Sequence, residues 1–533
     1  MPTFYVTTPI YYVNDRPHIG HCYTTLVADV LARFHRLIGN EVLMLTGTDE
    51  HAQKVIDRAQ QAGVSVQEWA DRNARAFQEA FEFMDMSHDD FVRTSEDRHK
   101  AKASSYIEKL VHSGDIYLGD YQGWYDAGQE EYVTESVAKA NDYKSPVSGA
   151  PLQKRTEKNY FFRLSAYENR LREHIEKHAS FIQPEARRNE VLGRLRQGLQ
   201  DVPVSRAVRE GEGDWGIRMP GDPGHRVYVW IEALCNYLSV VDTPERRHFW
   251  PASLHLLAKD ILWFHAIVWP AMLMAMHEEV PSRLYAHAYF VAEGRKMSKS
   301  LGNFIEIDQL RAYGQRFSVD ALRWYLATQG PLGSTDADFA HANFVDVYNA
   351  ELANGLGNCA SRVVNMVHKY FDGAIPSARD ATVHGGIDWP SLIAQHVENT
   401  STRIDRLDLH GAGHQAMAIV AAIDGYINTT EPFRLAKQVT GPDDSRHAEL
   451  ALILYNCAEA LRIAAVLLLP FMPAKAQATL EMLGASSPED GDLEKHVTWR
   501  GEHALSPGTP VVKGEALFMR ADTDEPAPTA VQH

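Results

Sequence analysis

The first forty residues restrict the fold more than any other stretch. Thr3 to Thr8 is β-branched and aromatic with apolar alternation, and reads as a strand. Leu26, Val27, Val30, Leu31, Phe34, Leu37 and Ile38 then recur at helical spacing, and Gly39 follows as a stop. Between strand and helix stand His18, Gly20 and His21. The entry to a helix collects anions, because free backbone N–H groups and the helix dipole point at it. Gly20 lets a ligand approach the backbone closely. No carboxylate or thiol nearby in sequence obviously completes a metal shell around the two imidazoles, so they suit a phosphate. The bland alternative is a pair of capping or surface histidines.

The pattern continues as an α/β chain. Glu41 to Leu45 reads as a second strand, with Thr46 to His51 at its carboxyl end, where open α/β sheets bind ligands. Ser65-Val66-Gln67-Glu68 is a capping box opening a helix to about Met84, and another helical run ends near Gly114. Strand–helix alternation argues for a parallel sheet. From about Asp115 short aromatic, turn-rich pieces suggest an inserted small domain that closes near Arg226. Within it, Gly211 to Gly216 matches GxGxxG literally. Its flanks are charged and cannot open a helix, which excludes a dinucleotide loop. Arg226 to Trp230 reads as a buried strand resuming the α/β pattern. After a basic loop, Lys296 to Ser300, the chain is helical: Asn349 to Phe371, Gly411 to Asn428 and His447 to Leu469 suggest a bundle. Asp522 to His533 reads as a frayed polar tail.

A length of 533 residues implies two to four domains. No apolar run is expected to cross a membrane: Ala464 to Phe471 is short and broken by Pro470 and Pro473. The N-terminus opens into a strand without a leader, and Cys22, Cys235, Cys359 and Cys457 form no CxxC. A reducing cytoplasm is the expected compartment. Net charge is −17, so nucleic-acid binding requires locally focused basic residues.

His18-Ile19-Gly20-His21 and Lys296-Met297-Ser298-Lys299-Ser300 together resemble the HIGH and KMSKS motifs of class I aminoacyl-tRNA synthetases. Thr7 to Asn14, Gly47 to His51, Asn159 to Leu164, Arg188 to Leu192, Val229 to Ala233 and Ala258 to His265 resemble the methionyl-tRNA synthetases in particular. The resemblance runs from Met1 to about Leu483. It implies a Rossmann-like parallel-sheet catalytic domain in two halves (1–115 and 226–335) around an inserted connective domain (116–225). An α-helical anticodon-binding bundle (336–490) and a C-terminal extension (491–533) follow.

The implied reaction joins L-methionine to ATP, then passes the methionyl group to the terminal ribose of tRNA(Met). A carboxylate is already a nucleophile, so catalysis consists of positioning and charge stabilisation. His18, Gly20 and His21 match the family's phosphate site. Lys296, Ser298 and Lys299 match the loop that neutralises departing pyrophosphate, with Mg²⁺ assisting; Gly294 and Gly302 flank it as hinges. By themselves those lysines would read as a solvated loop. Ile10, Tyr12, Trp230, Ala233, Leu234, Tyr237, Ile261, Phe264 and His265 match the methionine pocket, where a flexible thioether packs on aromatic rings. Asp49 matches the residue that holds the substrate ammonium. Asn358 and Arg362, four apart on one helix face, match the anticodon-reading pair, and Phe433 after Pro432 stands where relatives carry a stacking Trp.

The chain departs from the family at Glu232, where many relatives have Asp, and at Ala52, where many have Gly. The zinc-knuckle positions match Asp126, Gln129, Ser145 and Ser148; none is a thiolate or imidazole, so no structural zinc is expected. The short insertion predicts no separate editing site. A monomer is the expected state. Two rival readings are a nucleotidyltransferase that makes adenylates without tRNA and a non-catalytic RNA-binding paralogue. The helical C-terminal region argues against the first and the intact His18, His21, Lys296 and Lys299 against the second.

Overall fold

The computed structural model describes residues 1–126, 131–133, 135–208, 214–297, 303–378 and 383–529. Its centre is a six-stranded parallel sheet. The strands are β1 (Thr3–Tyr12), β2 (Glu41–Asp49), β3 (Asp90–Arg93), β4 (Ile182–Gln183), β5 (Leu254–Ala258) and β6 (Leu284–His287), in the order β3-β2-β1-β5-β6-β4. Helix α1 (Ile19–Leu37) crosses from β1 to β2. Alternation along β1 sends Phe4 and Val6 into a core with Leu26, Val30 and Phe34 of α1, and Tyr5 into a second core with Ile107 and Leu110 on the opposite face. Both faces are therefore covered, as a parallel sheet requires.

The sequence reading needs correction at three points here. Arg226 to Trp230 is not a sheet strand. Asp222–Val227 pairs antiparallel in a small separate sheet, and Val229–Leu234 is already helical. Its apolar run is buried against the second core instead, which periodicity over so few residues cannot distinguish. Within 116–225, Ile182 and Gln183 return to the main sheet and pair with Leu284 and Tyr285. The tail is also held further than composition suggested. Arg316 binds Glu525 and the Pro526 carbonyl, and His341 Nε2 meets the Glu525 carbonyl at 3.2 Å.

Beyond the sheet lie α2 (Val319–Gln329), α3 (Asn358–Tyr370), α4 (Trp389–Asp405), α5 (Leu409–Thr430), α6 (Ser445–Leu468) and α7 (Pro473–Met482). Contrary to the expectation from sequence, α6 is long and apolar enough to cross a membrane by length and composition, but its apolar window is wholly buried in this fold. A Glu459–Arg462 ion pair sits in its middle, both side chains fully buried.

Helix α2 joins sheet to bundle. Arg323, fully buried, donates to Asp29 Oδ2 of α1 at 2.7 Å and to the carbonyls of Met84, Asp85, Pro470 and Phe471. Burial alone would raise the Asp29 pKa. Arg323 and Arg33, with the Ser87 hydroxyl and N–H, more than offset this and hold it below the usual carboxylate value. Asp29 therefore contributes stability that is full above the unfolded-state carboxyl pKa of about 3.9 and is lost as pH falls through the lower folded-state value. Replacing Arg323 by Met takes the buried guanidinium from Asp29, which keeps only Arg33 and Ser87, and is expected to cost about 3–5 kcal/mol in urea unfolding near neutral pH. That loss should shrink in strong acid, where Asp29 is protonated.

Candidate active site

The main crevice opens between the carboxyl ends of β1 and β5, where strand order turns from one direction to the other. Such a switch point is where open α/β sheets bind ligands. Its volume is about 530 Å³. The register of β1 against β2 shifts between Thr7 and Ile10, a bulge centred on Thr8 and Pro9. Proline has no N–H to donate, and the Thr8 hydroxyl bonds to Thr46 Oγ1 and to the Pro9 carbonyl. The bulge aims Ile10 and Tyr12 at the crevice. Gly47 on β2 lies so close to the Val92 carbonyl that a Cβ would collide with it.

At one end, His18 is the N-cap of α1. Its Nδ1 accepts from Gly20 N at 3.1 Å, while His21 Nδ1 accepts from His18 N at 3.3 Å. These bonds bear out the capping reading of the two histidines. The rings stack at 3.6 Å. Burial first, and His18 second, push the His21 pKa well below the ordinary value, so His21 is neutral at pH 7. Ile19 N donates to the Ile305 carbonyl, Ile307 N donates to the Pro17 carbonyl, and Phe304 meets the His18 ring edge-on. The chain leaving the basic loop is therefore stitched to the histidine loop, although nearly 300 residues separate them. Lys296 is exposed on a short strand paired with Val291 and does not line the crevice. Ser298, Lys299 and Gly302 lie outside the described residues.

At the other end stand Ile10, Tyr12, Asp49, Trp230, Ala233, Leu234, Tyr237, Ile261 and His265. Phe264 does not line the crevice; it stacks flat on Trp230 at 4.3 Å, and Tyr12 meets Trp230 edge-on. A π-helical segment, Phe264–Val268, carries Phe264 and His265. The Ile261 carbonyl bonds to His265 Nδ1 at 2.9 Å, which assigns the proton to that nitrogen. His265 Nε2 then accepts from the Tyr237 hydroxyl at 2.8 Å. Burial lowers the His265 pKa to about 4, so the ring stays neutral and this orientation holds.

Asp49 is buried, and its Oδ1 has no partner. Burial, then the charges of Glu232 and Glu50, raise its pKa well above the ordinary value. Ionised Asp49 therefore costs stability as pH rises through that value, and a cation brought by a ligand would offset the cost. Glu232 reaches His51 Nδ1 at 2.8 Å, so its longer side chain is used.

Sequence reasoning missed Asn236, Asp260, His287 and Tyr289, which also line the crevice. His287 bonds to Thr24 Oγ1 and to the Ala288 carbonyl. Its signal was available: it is the last residue of β6, at the same carboxyl edge as Asp49.

Away from the crevice, Asn358 is exposed and Arg362 pairs with Asp424 at 2.5 Å. Phe433 is 41% exposed on the short helix Pro432–Leu435, and so is not a core residue. At the knuckle, Ser145 Oγ accepts from Val147 N at 3.2 Å and Ser148 N at 3.0 Å, closing the turn by hydrogen bonds. Gln129 lies outside the described residues.

Comparison with known proteins agrees with this architecture. The family model for class I tRNA synthetases (M) matches residues 4–141 and 136–364. A methionine–tRNA ligase of Caldanaerobacter subterraneus subsp. tengcongensis is 41% identical, covering 98% of this chain and 80% of its own. One from Streptomyces coelicolor is 40% identical, covering 98% and 97%. The Mycobacterium tuberculosis methionyl-tRNA synthetase in complex with methionyl-adenylate superposes with a TM-score of 0.88 at 34% identity, covering 98% of this chain and 100% of that one. The switch-point crevice, the histidine loop bonded to Ile305 and Ile307, and this likeness along almost the whole chain lead to one assignment: the chain belongs to the methionine–tRNA ligase family of class I tRNA synthetases.

Proposed function

We propose that the chain activates L-methionine with ATP and transfers the methionyl group to tRNA(Met). One observation carries the reading: a single crevice is lined by His18 and His21 at one end and by Asp49, Trp230, Tyr237 and His265 at the other. In this reading Asp49 takes the methionine ammonium, and the thioether packs by Trp230 and Tyr12. The Tyr237–His265 pair closes the end of the pocket. The methionine carboxylate attacks the α-phosphate of ATP in line, pyrophosphate leaves, and methionyl-adenylate forms. His18 and the neutral imidazole of His21 donate hydrogen bonds to phosphate oxygens. Lys296 and Lys299 neutralise charge on the departing pyrophosphate, and Mg²⁺ enters as part of the nucleotide substrate. A ribose hydroxyl of tRNA then attacks the acyl carbon and AMP leaves.

Asn358, Arg362 and Phe433 are read as anticodon contacts. The exposed ring of Phe433 supports a stacking role. We read the knuckle as zinc-free, because the Ser145 hydroxyl already accepts from two backbone N–H groups. Four free, buried cysteines suit a cytoplasmic enzyme, and a monomer suffices for the reaction. ATP–pyrophosphate exchange measured with each amino acid tests the activity: methionine alone should support exchange, and exchange with another amino acid instead would overturn the reading.

Three variants test the roles. Lys299→Ala should lower adenylate formation by at least about a hundredfold, with methionine binding little changed, because its charge acts on the transition state. Asp49→Asn should raise the methionine KM at least about tenfold and leave the ATP KM near wild type, as expected for a lost charge-assisted contact. Phe433→Ala should reduce tRNA charging about ten- to hundredfold, the loss of one base stack, without lowering exchange or the melting temperature. Equal loss on tRNA with an altered first anticodon base would refute the stacking role.

A further inference from the structure

Among the contacts that tie the segment after α7 to the bundle, two join its backbone to neighbouring charged side chains of α6. Arg462 Nη1 donates to the His496 carbonyl at 2.6 Å, and Leu505 N donates to Glu459 Oε2 at 3.0 Å. Arg462 and Glu459 pair with each other inside α6, so both contacts rest on one buried ion pair. In the region they anchor lie Asp492, His496 and His503. One ligand-capable atom from each lies within 4.8 Å of the other two. The two imidazoles stack at 3.9 Å with an interplanar angle of 10°. His496 is 2% exposed, and its Nδ1 is buried with no hydrogen-bond partner. An unpaired buried ring nitrogen costs free energy, so such atoms in native proteins call for an explanation.

We propose that Asp492, His496 and His503 bind a divalent transition-metal ion of the zinc class, which fastens the C-terminal segment to the helical bundle. Two imidazoles and one carboxylate are the donor set that zinc, cobalt(II) and nickel(II) accept, whereas Mg²⁺ and Ca²⁺ prefer oxygen alone. The fourth position of a tetrahedral shell is left for water. Bonds of about 2.0–2.2 Å place tetrahedral ligand atoms about 3.3 Å apart, so the cluster contracts on binding. Asp492 and His503 are partly exposed and have room to move, while the buried His496 ring provides the fixed point. Lys495 Nζ lies on Asp492 Oδ1 at 2.9 Å and is displaced by the ion, and Glu459 neutralises Arg462. Residues 492, 496 and 503 do not line the crevice, so the ion's role is structural. The site also owes nothing to the knuckle positions.

The test uses the full chain stripped with EDTA, then titrated with Zn²⁺ by calorimetry and with Co²⁺ by visible absorption. Wild type should bind one ion at this site, show the ligand-field bands of tetrahedral cobalt, and melt at a higher temperature with Zn²⁺ than without. Excess Mg²⁺ should not compete. His503→Gln and Asp492→Asn alter partly exposed side chains, and each should weaken binding at least about tenfold and abolish the zinc-dependent rise in melting temperature. His496→Gln should do the same; if that variant fails to fold, the other two decide. No saturable binding in wild type, or binding that survives both His503→Gln and Asp492→Asn, would overturn the proposal.

Discussion

The architecture depends on one guanidinium. Arg323 is fully buried and engages α1, the turn after Phe83 and the turn between α6 and α7 at once. Arginine suits this task because its rigid planar fork can donate in several directions without changing rotamer. The neighbouring residues extend the joint. Asp320 accepts from Lys475 N, and Trp324 donates to Glu351 Oε2 while its ring packs against Gly413 and Phe471. A single helix thus holds the sheet core on one side and the bundle on the other.

The crevice owes its electrostatics mainly to burial. His21, His265 and His287 are all driven toward the neutral form by desolvation, and His265 and His287 have one nitrogen assigned by a backbone carbonyl. Neutral rings with fixed tautomers are preorganised donors and acceptors, which cost little to reorganise when a polar ligand arrives. Asp49 shows the same force with the opposite sign for a carboxylate: burial and neighbouring acids raise its pKa, and a substrate cation would restore its charge. The crevice therefore presents a buried carboxyl with an unpartnered oxygen at one end and two stacked imidazoles at the other.

The turn at Ser145 is closed by its own hydrogen bonds. The Ser145 hydroxyl accepts from two backbone N–H groups, and Gly149 N donates to the Ser145 carbonyl. Each such bond contributes about 0.5–1.5 kcal/mol, far less than a structural zinc, but the turn spans only a few residues. The tail from Asp522 departs from its composition: a polar sequence suggested fraying, yet Glu525 and the Pro526 carbonyl are bound by Arg316.

Local pattern determined much of this protein. The β1–α1 unit, the histidine pair at its junction, the carboxyl-end position of Asp49 and the succession from α/β to helical were all legible, because each rests on spacing within a few turns or one strand. The two motif words point to the family by themselves, and the likeness extends over 98% of the chain. Tertiary structure alone decided the rest. Val229–Leu234 became a helix because its apolar run is buried beneath the sheet, and six residues carry no reliable period. Ile182–Gln183 became an edge strand through pairing with residues a hundred positions away. The role of Arg323 and the meeting of His496 with His503 and Asp492 are likewise invisible along the chain. Their partners converge only when separate elements pack, and packing is set by long-range burial, which no local periodicity encodes.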